Sequence, residues 1–166
     1  MKDAEIWQSK DDDGLTLIGF IAFFDPPRPG VLESVQACQS KGITVRIVTC
    51  DNIKTTKNIA IKCGIISEAE AEDDEVCMHG ADFVDMVAGH IKYGEPMVPN
   101  MEIFAKIAPK IKVIARTSCG AKELLVAGLK EMGKSVAVTG DYEDDAEALA
   151  KADVGFALSY SDEISK

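Results

Sequence analysis

The chain has 166 residues, of which 46% are hydrophobic and 28% are charged, as in an ordinary globular domain. Its formal net charge of −10 argues against a nucleic-acid-binding protein, because phosphate contacts need clustered Lys and Arg. The longest nearly apolar run covers residues 17–24, and a membrane-spanning helix needs about 20 such residues. Residues 1–10 are mostly polar, so no signal peptide is expected.

The five cysteines are Cys38, Cys50, Cys63, Cys77 and Cys119. Their number is odd and they include no Cys-x-x-Cys pair. This spacing argues against a disulfide framework and against a structural zinc site, and it favours free thiols in a reducing compartment.

In the first part of the chain, hydrophobic runs alternate with apolar residues at helical spacing. Three prolines between Asp25 and Gly30 exclude a strand or helix interior there. Glycines at 42 and 64 follow the helical patterns and predict their ends. The predicted elements are a buried strand at 17–24, a helix at 31–40, a β-branched strand at 43–48 and a helix at 52–63.

The middle of the chain is less regular, because residues 68–75 hold six carboxylates and predict a solvated loop. A short helix is expected at 81–88, and Gly94, Pro96 and Pro99 indicate another loop. Regular patterns then predict a strand at 112–115, a helix at 121–132, a strand at 135–138, a helix at 144–151 and a strand at 154–158.

Strands that alternate with helices in this order predict an α/β fold, a three-layer Rossmann-like parallel sheet with helices on both faces. In such sheets, ligands bind at the carboxyl ends of the strands. The residues that follow the predicted strands are therefore the candidates: Asp25, residues 49–51, Arg116 and residues 139–145.

Three carboxylates, Asp141, Asp144 and Asp145, follow one predicted strand. They repel one another unless a cation is present, and Mg²⁺ is held by a few carboxylates together with water and phosphate oxygens. The alternative is a helix N-terminus enriched in acids, which the helix dipole favours. Spacing alone leaves both interpretations open.

Two further strand ends carry polar side chains. Thr49 and the backbone N–H groups after it could hold a phosphoryl group, or the segment 49–52 could simply cap the next helix. Arg116 and Lys122 flank the turn after a third strand, where Lys122 could neutralise a carboxylate and a phosphate, or lie on a helix surface.

A hydroxyl, a lysine and paired aspartates in this order resemble three motifs of the haloacid dehalogenase-like phosphotransferases. The segments DPPRP (25–29), VTCDN (48–52), ARTS (115–118) with Lys122, VAVTGD (136–141) and ADVGFA (152–157) resemble the phosphorylation domain of P-type ATPases. The segments IAPKIKVIAR (107–116) and CMHG (77–80) are similar to the plasma-membrane-type calcium pumps among them. The resemblance covers residues 15–166 and leaves 1–14 as a lead-in.

This resemblance implies roles only where residues match. It implies that Thr49 hydrogen-bonds an aspartyl phosphate and that Lys122 neutralises it. Asp141 matches the aspartate that binds Mg²⁺, and Asp145 supports that metal site. With Asp144 added, these form the expected metal set. Asp25, Arg28, Asp51 and Arg116 match positions near the hinge and the nucleotide.

The family's phosphorylated aspartate, in the motif Asp-Lys-Thr-Gly-Thr, is absent, so another segment would have to carry it. Asp11, in DDDG (11–14), loosely resembles the nucleophile of free-standing phosphatases, but residues 5–10 are too polar for the buried strand that this motif needs. The chain also departs from the family motifs at other positions. Cys50 and Tyr142 replace glycines, and Asp144 replaces an asparagine. Glu147 replaces the usual proline near Leu149, Cys119 stands where a proline is common, and Ala121 replaces the polar residue before the lysine.

The resemblance therefore implies part of the phosphorylation domain of an ATP-driven cation pump, with calcium as the expected ion. Mg²⁺ is the expected cofactor, and ATP would bind the parent protein. The expected partners are a nucleotide-binding domain and membrane helices, and the expected location is the cytoplasmic face of a membrane. The alternatives are a non-catalytic Mg²⁺-binding module and a free-standing phosphatase.

Overall fold

The computed structural model describes residues 16–21, 25–87, 90–92, 95–117, 120–141 and 143–157. The helices in these ranges are α1 (Val31–Ser40), α2 (Ile53–Lys62), α3 (Gly80–Met86), α4 (Met101–Ile107), α5 (Ala121–Glu131) and α6 (Ala146–Lys151). The strands are β1 (Ile47–Val48), β2 (Cys77–His79), β3 (His90–Lys92), β4 (Glu95–Met97), β5 (Val113–Ala115), β6 (Ala137–Gly140) and β7 (Val154–Ala157). Short 3₁₀ turns cover Glu70–Glu72 and Glu143–Asp145.

A three-stranded parallel sheet in the order β1-β5-β2 forms the centre of the fold. Successive residues of β5 point to opposite faces, so Val113 and Ile114 belong to different cores, and both are fully buried. One core packs residues of α1 and α2 against Val113, and the other packs residues of α3, α4 and α5 against Ile114. Helices on both faces explain why β5 is an uninterrupted apolar run.

The remaining strands form two separate pairs. Strands β3 and β4 form an antiparallel hairpin, and β6 and β7 form a parallel pair. In the described part of the chain, no strand pairing joins β1 to β6. Helix α5 connects the two parallel groups instead, since Lys130 Nζ lies 3.1 Å from an Asp153 carboxylate oxygen and donates to Lys151 O at 2.7 Å.

One face of the β6–β7 pair is open to solvent. The strand register places Ala137, Thr139, Val154 and Phe156 on this face, and all four are exposed. Val154 and Phe156 are 48% and 55% exposed, although parallel sheets are normally covered on both faces. On the other face, a Cβ at Gly155 would lie 3.1 Å from the backbone oxygen of Leu149, so α6 packs against this face.

The predicted α/β class with parallel strands and helices on both faces is confirmed. The predicted helix at 31–40 coincides with α1, and the predictions at 52–63 and 121–132 match α2 and α5 once their capping residues are excluded. Predicted strands at 43–48, 112–115 and 135–138 correspond to β1, β5 and β6 with shifted ends. Strand β1 is shorter because its pairing with β5 begins only at Ile47.

The prediction of a buried strand at 17–24 is wrong for residues 17–21, which pair with none of the described strands. Leu17, Ile18, Phe20 and Ile21 are 70–101% exposed. An apolar run becomes a buried strand only when a neighbouring strand satisfies its N–H and C=O groups and a second layer covers it. Residues 22–24 and Leu158 lie outside the described residues.

The middle of the chain holds three elements that the sequence patterns did not predict: β2, the β3–β4 hairpin and α4. The loop predicted around residues 94–99 is therefore wrong in part, because β4 covers Glu95–Met97. Proline is tolerated on an edge strand, which allows Pro96 within this two-stranded hairpin.

The acidic segment 68–75 is more ordered than a solvated loop. The Ser67 N–H donates to the Glu70 carboxylate at 2.8 Å, and the Glu70 N–H donates to Ser67 Oγ at 3.2 Å, as in a capping box. Lys112 Nζ lies 2.6 Å from the other Glu70 oxygen. These hydrogen bonds, with that from Lys112 the largest contribution, lower the pKa of Glu70 to about 2.

Candidate functional site

The loops after β1 and β5 lie side by side at the carboxyl ends of their strands. The Thr117 N–H donates to Thr49 O at 3.1 Å, and the Arg116 N–H donates to Asp51 O at 2.9 Å. These backbone bonds bring together three of the predicted site residues, Thr49, Asp51 and Arg116. The sequence patterns placed them after two strands of one predicted parallel sheet, and the pairing of β1 with β5 explains why they meet.

The Thr49 hydroxyl is held within its own loop. Its oxygen accepts a hydrogen bond from the Asp51 N–H at 3.2 Å, and its hydrogen can still donate to a ligand. Asn52 is the N-cap of α2, because its side-chain oxygen accepts from the Lys54 N–H at 2.9 Å. The helix-cap interpretation is therefore correct for Asn52 and leaves the Thr49 hydroxyl as the candidate phosphate donor.

Arg116 follows β5 with φ at +50°, in the left-handed region. Among the described residues it is the only non-glycine residue with a positive φ. Such a conformation costs roughly 1 kcal/mol in an L-residue and is found more often where a loop serves a site. Its side chain is exposed at the strand end, beside the Asp51 loop.

The second group of candidates surrounds a short ion pair. Lys122 Nζ, at the start of α5, lies 2.5 Å from Asp145 Oδ1. The other oxygen, Asp145 Oδ2, accepts a hydrogen bond from the Asp141 N–H at 3.2 Å. The side chains of Lys122 and Asp145 are only 18% and 11% exposed. The structure thus joins Lys122 at the start of α5 with Asp141 and Asp145 in the turn after β6.

Gly140, the last residue of β6, gives Asp145 its space. A Cβ at this position would lie 2.5 Å from Asp145 Cβ and 2.8 Å from Oδ2. Sequence reasoning assigned Gly140 no role, although a glycine at the end of a strand often indicates a close approach by another group.

Three further predicted site residues lie at exposed positions. Asp144 is exposed in the 3₁₀ turn beside Asp145. Asp25 and Arg28 are exposed in the segment before α1, where Arg28 O accepts from the Val31 N–H. No hydrogen bond or ion pair between described residues joins Asp25 to Thr49 or Lys122.

The carboxylates expected to hold Mg²⁺ differ in their contacts. In the described ranges, no group of three Asp, Glu, His or Cys side chains is placed to hold a metal ion. The Asp141 carboxylate forms no hydrogen bond or ion pair with a described side chain, whereas both oxygens of Asp145 are bound to N–H donors. Because Mg²⁺ is commonly held by one or two carboxylates plus water and phosphate, the metal site expected at Asp141, Asp144 and Asp145 stays a prediction.

A comparison with known protein families shows which family this chain belongs to. The sequence profile of the haloacid dehalogenase-like hydrolases matches residues 2–153. The chain belongs to the haloacid dehalogenase-like hydrolase family. The parallel strand pairs and the helices on both sheet faces agree with the α/β fold expected for this family.

The chain is also similar to calcium-transporting ATPases. It is 43% identical over 159 residues to plasma membrane calcium-transporting ATPase 1 of Mus musculus, covering 92% of this chain and 12% of that protein. Identity is 41% over 155 residues to calcium-transporting ATPase 2 of Schizosaccharomyces pombe, covering 93% of this chain and 10% of that protein. The chain is 42% identical over 147 residues to calcium-transporting ATPase 4, plasma membrane-type, of Arabidopsis thaliana. This match covers 89% of this chain and 12% of that protein.

These relatives are homologous to the chain over only a small part of their own length. The chain spans 10–12% of the curated relatives described above. Among the described helices, none has the length and apolar character needed to cross a bilayer. The similarity therefore identifies a domain related to the ATPase region of calcium pumps.

Proposed function

We propose that this chain is the C-terminal part of the phosphorylation domain of an ATP-driven calcium pump. It supplies the residues that stabilise phosphate and Mg²⁺ around an aspartyl phosphate carried by another segment. The observation that carries the proposal is the similarity to calcium-transporting ATPases across 92% of the chain. The positions of the candidate residues at the ends of parallel strands support it.

The break between the two parallel groups supports an aspartate supplied from elsewhere. Thr49 follows β1, and Asp141 follows β6. The described part of β1 pairs only with β5, and that of β6 pairs only with β7. Unpaired strand edges readily accept another strand. A strand that pairs in parallel with either edge would end near Thr49 or Asp141, and a residue there could receive the phosphoryl group.

Each side chain then has a role in charge stabilisation, which dominates phosphoryl transfer. Lys122 offsets the negative charge of the phosphate and of the acceptor carboxylate, and the Thr49 hydroxyl donates to a phosphate oxygen. Asp141 and Asp144 would hold Mg²⁺, with Asp145 supporting that site, and the bound ion would neutralise phosphate charge. Asp51 and Arg116, with Asp25 and Arg28, would lie toward the nucleotide and the hinge.

Exposed apolar surface supports a role within a larger protein. Leu17, Ile18, Phe20 and Ile21 are 70–101% exposed, and Val154 and Phe156 are about half exposed. Clusters of exposed apolar side chains are typical of contact surfaces. In the proposed pump, a nucleotide-binding domain and the remaining phosphorylation domain would contact this surface at the cytoplasmic face of the membrane.

A chimera tests the proposal. This chain would replace the matching segment of the mouse relative, and the phosphoenzyme formed from ATP would be measured with and without calcium. We expect a calcium-dependent, hydroxylamine-sensitive phosphoenzyme. Asp141→Asn should lower its rate of formation by about 100-fold or more, the scale of losing one charge-stabilising group. Lys106→Gln, which breaks a distant surface ion pair, is the matched control.

A chimera that reaches the membrane and binds ATP but forms no phosphoenzyme would contradict the proposal and favour the non-catalytic Mg²⁺-binding module. The isolated chain should not hydrolyse p-nitrophenyl phosphate. Hydrolysis by the isolated chain that is lost in Asp11→Asn would instead favour a free-standing phosphatase. Asp11 lies outside the described residues.

A further inference from the structure

The carboxyl ends of β1, β5 and β2 form one edge of the central sheet, and His79 is the last residue of β2. Its Cα pairs with that of Ala115 in β5. On the other side of β5, the register of β1 continues and places Thr49 beside Ala115 as well. Thr49, Ala115 and His79 therefore form a row across three strands, with neighbouring strands about 4.8 Å apart.

The side chains of Thr49 and His79 lie on the same face of this sheet. Ile47 and Cys77, two residues before them, both pack in the core that contains residues of α1 and α2. Side chains two residues apart in a strand point to the same face. Ala115, in the middle of the row, is fully buried. A ligand therefore reaches His79 from the strand ends and not across the face of the sheet.

The end of β2 packs closely against the loop after β5. A Cβ at Gly80 would lie 2.7 Å from Thr117 Cα and 3.1 Å from Arg116 O. This close approach brings His79 to the left-handed turn at Arg116, whose side chain is exposed. The end of β2 is thus a third part of the candidate site, next to the loops after β1 and β5.

The imidazole of His79 has unused hydrogen-bonding capacity. It is half-buried, does not cap α3, and makes no hydrogen bond or ion pair within the described part of the chain. A neutral imidazole offers one donor and one acceptor. A sugar hydroxyl both donates and accepts, so it can pair with either ring nitrogen. Phosphate oxygens only accept, and they pair better with the guanidinium of Arg116.

We propose that His79 determines nucleotide specificity at this site by hydrogen-bonding a hydroxyl of the ribose. This inference rests on the proposed function, to which it adds a residue and the part of the nucleotide that this residue contacts. A phosphoryl group at Thr49 and a sugar at His79 would lie two strand spacings apart, or about 9–10 Å. An extended nucleoside triphosphate spans such a distance between its terminal phosphate and its sugar. Arg116, at the strand end in between, would meet the intervening phosphates.

The first experiment follows the imidazole C–H signals of His79 by NMR in the isolated chain, with ADP and inorganic pyrophosphate as probes. ADP should shift these signals together with the amide signals of Thr49 and Arg116. Pyrophosphate, which has no sugar, should shift Thr49 and Arg116 and leave His79 in place. The analogue 2′,3′-dideoxy-ADP keeps the base and both phosphates, and it should shift His79 clearly less than ADP does. His90, the other histidine of the chain, supplies a reference signal.

Three results of this titration would overturn the proposal. His79 signals that move equally with pyrophosphate would indicate phosphate at this position. Signals that move equally with ADP and its dideoxy analogue would show that the sugar hydroxyls are not recognised there. A wild-type chain in which ADP moves no His79 signal would exclude the contact altogether.

The second experiment compares ATP with 2′,3′-dideoxy-ATP in the chimera described above. The ratio of their half-maximal concentrations for phosphoenzyme formation measures recognition of the sugar hydroxyls. His79→Ala should reduce this ratio about 3–10-fold, the scale of one hydrogen bond. His79→Gln, whose amide also donates and accepts, should restore part of it. Lys106→Gln, in a distant surface ion pair, is the matched control and should leave the ratio unchanged.

A purely structural role of His79 would raise both half-maximal concentrations alike. A ratio that does not respond to His79→Ala would therefore overturn the proposal. The backbone amide spectrum checks that each variant is folded, and the comparison of ADP with pyrophosphate needs no variant.

Nucleotide binding to the isolated chain requires no catalysis, so the two proposals can fail separately. A chimera that forms no phosphoenzyme, together with the expected ADP shifts, would refute only the proposed function. An active chimera whose nucleotide ratio is the same in the wild type and in His79→Ala would refute only the role of His79.

Discussion

The position of helix α5, which carries Lys122, depends on a close contact between Gly128 and Phe104. A Cβ at Gly128 would lie 2.4–2.7 Å from three atoms of the Phe104 ring. Phe104 is fully buried, and Phe83 packs against it at an angle of 62°, with ring centroids 6.2 Å apart. The ring therefore has little room to move away from an added methyl group.

Gly128→Ala sets two effects against each other. Alanine is better than glycine in a helix interior by about 1 kcal/mol. Overpacking a buried site costs typically 1–3 kcal/mol, and three contacts below 3.0 Å argue for the upper half of that range. The expected net loss is about 1–2 kcal/mol in the free energy of unfolding. For a domain of this size, the corresponding decrease in Tm is about 3–6 °C.

Urea denaturation measures this loss as a lower midpoint at unchanged slope. Phe104→Leu provides the matched background, because it removes the ring atoms that the new methyl group would meet. In that background, Gly128→Ala should be neutral or stabilising, so the two substitutions should couple by about 1–2 kcal/mol. A Gly128→Ala variant that is more stable than the wild type, or strict additivity, would refute the reasoning.

Two further predictions concern local electrostatics and capping. The hydrogen bond with Lys112 is the main reason why the pKa of Glu70 is lowered to about 2. The carboxylate's contribution to folding stability is therefore complete above its unfolded pKa near 4.5, and it is lost as pH falls toward 2. Linkage alone would convert this lowering into about 3 kcal/mol, but the carboxylate is 36% exposed, so solvent screening reduces the stabilisation to roughly 1 kcal/mol. Glu70→Gln should therefore lower the free energy of unfolding by roughly 1 kcal/mol at pH 7, as measured by urea denaturation. The difference from the wild type should vanish near pH 2, and a difference that does not depend on pH would contradict this prediction. Asn52→Ala removes the acceptor for the Lys54 N–H and should cost about 1 kcal/mol, whereas Asn52→Asp should cost less than half of that, both measured by thermal unfolding.

Local patterns in the sequence were sufficient for elements that depend on local interactions. Helix α1 was predicted at its observed bounds, and α2 to within its caps, because helical periodicity and capping residues act over a few positions. The candidate residues Thr49, Asp51 and Arg116 were also found from sequence. Residues after parallel strands must lie at one edge of a sheet, and two hydrogen bonds join their loops.

Elements that depend on distant partners were predicted poorly. The apolar run at 17–21 has the composition of a buried strand, but burial requires a neighbouring strand, and none of the described strands pairs with it. Strand β2, with only three residues, forms because β5 supplies its hydrogen bonds. Short strands of this kind carry too few residues for a periodicity to be detected.

The amino-acid sequence by itself determined the α/β class, the order of the main elements and the family, because composition, periodicity and ordered motifs are properties of the chain alone. Only the tertiary structure decided that Lys122 reaches Asp145 rather than solvent, and that Asp141 and Asp145 have different surroundings. The physical reason is that an ion pair between residues 23 positions apart depends on how α5 packs against the β6–β7 unit. Spacing within the acidic turn carries no information about that packing.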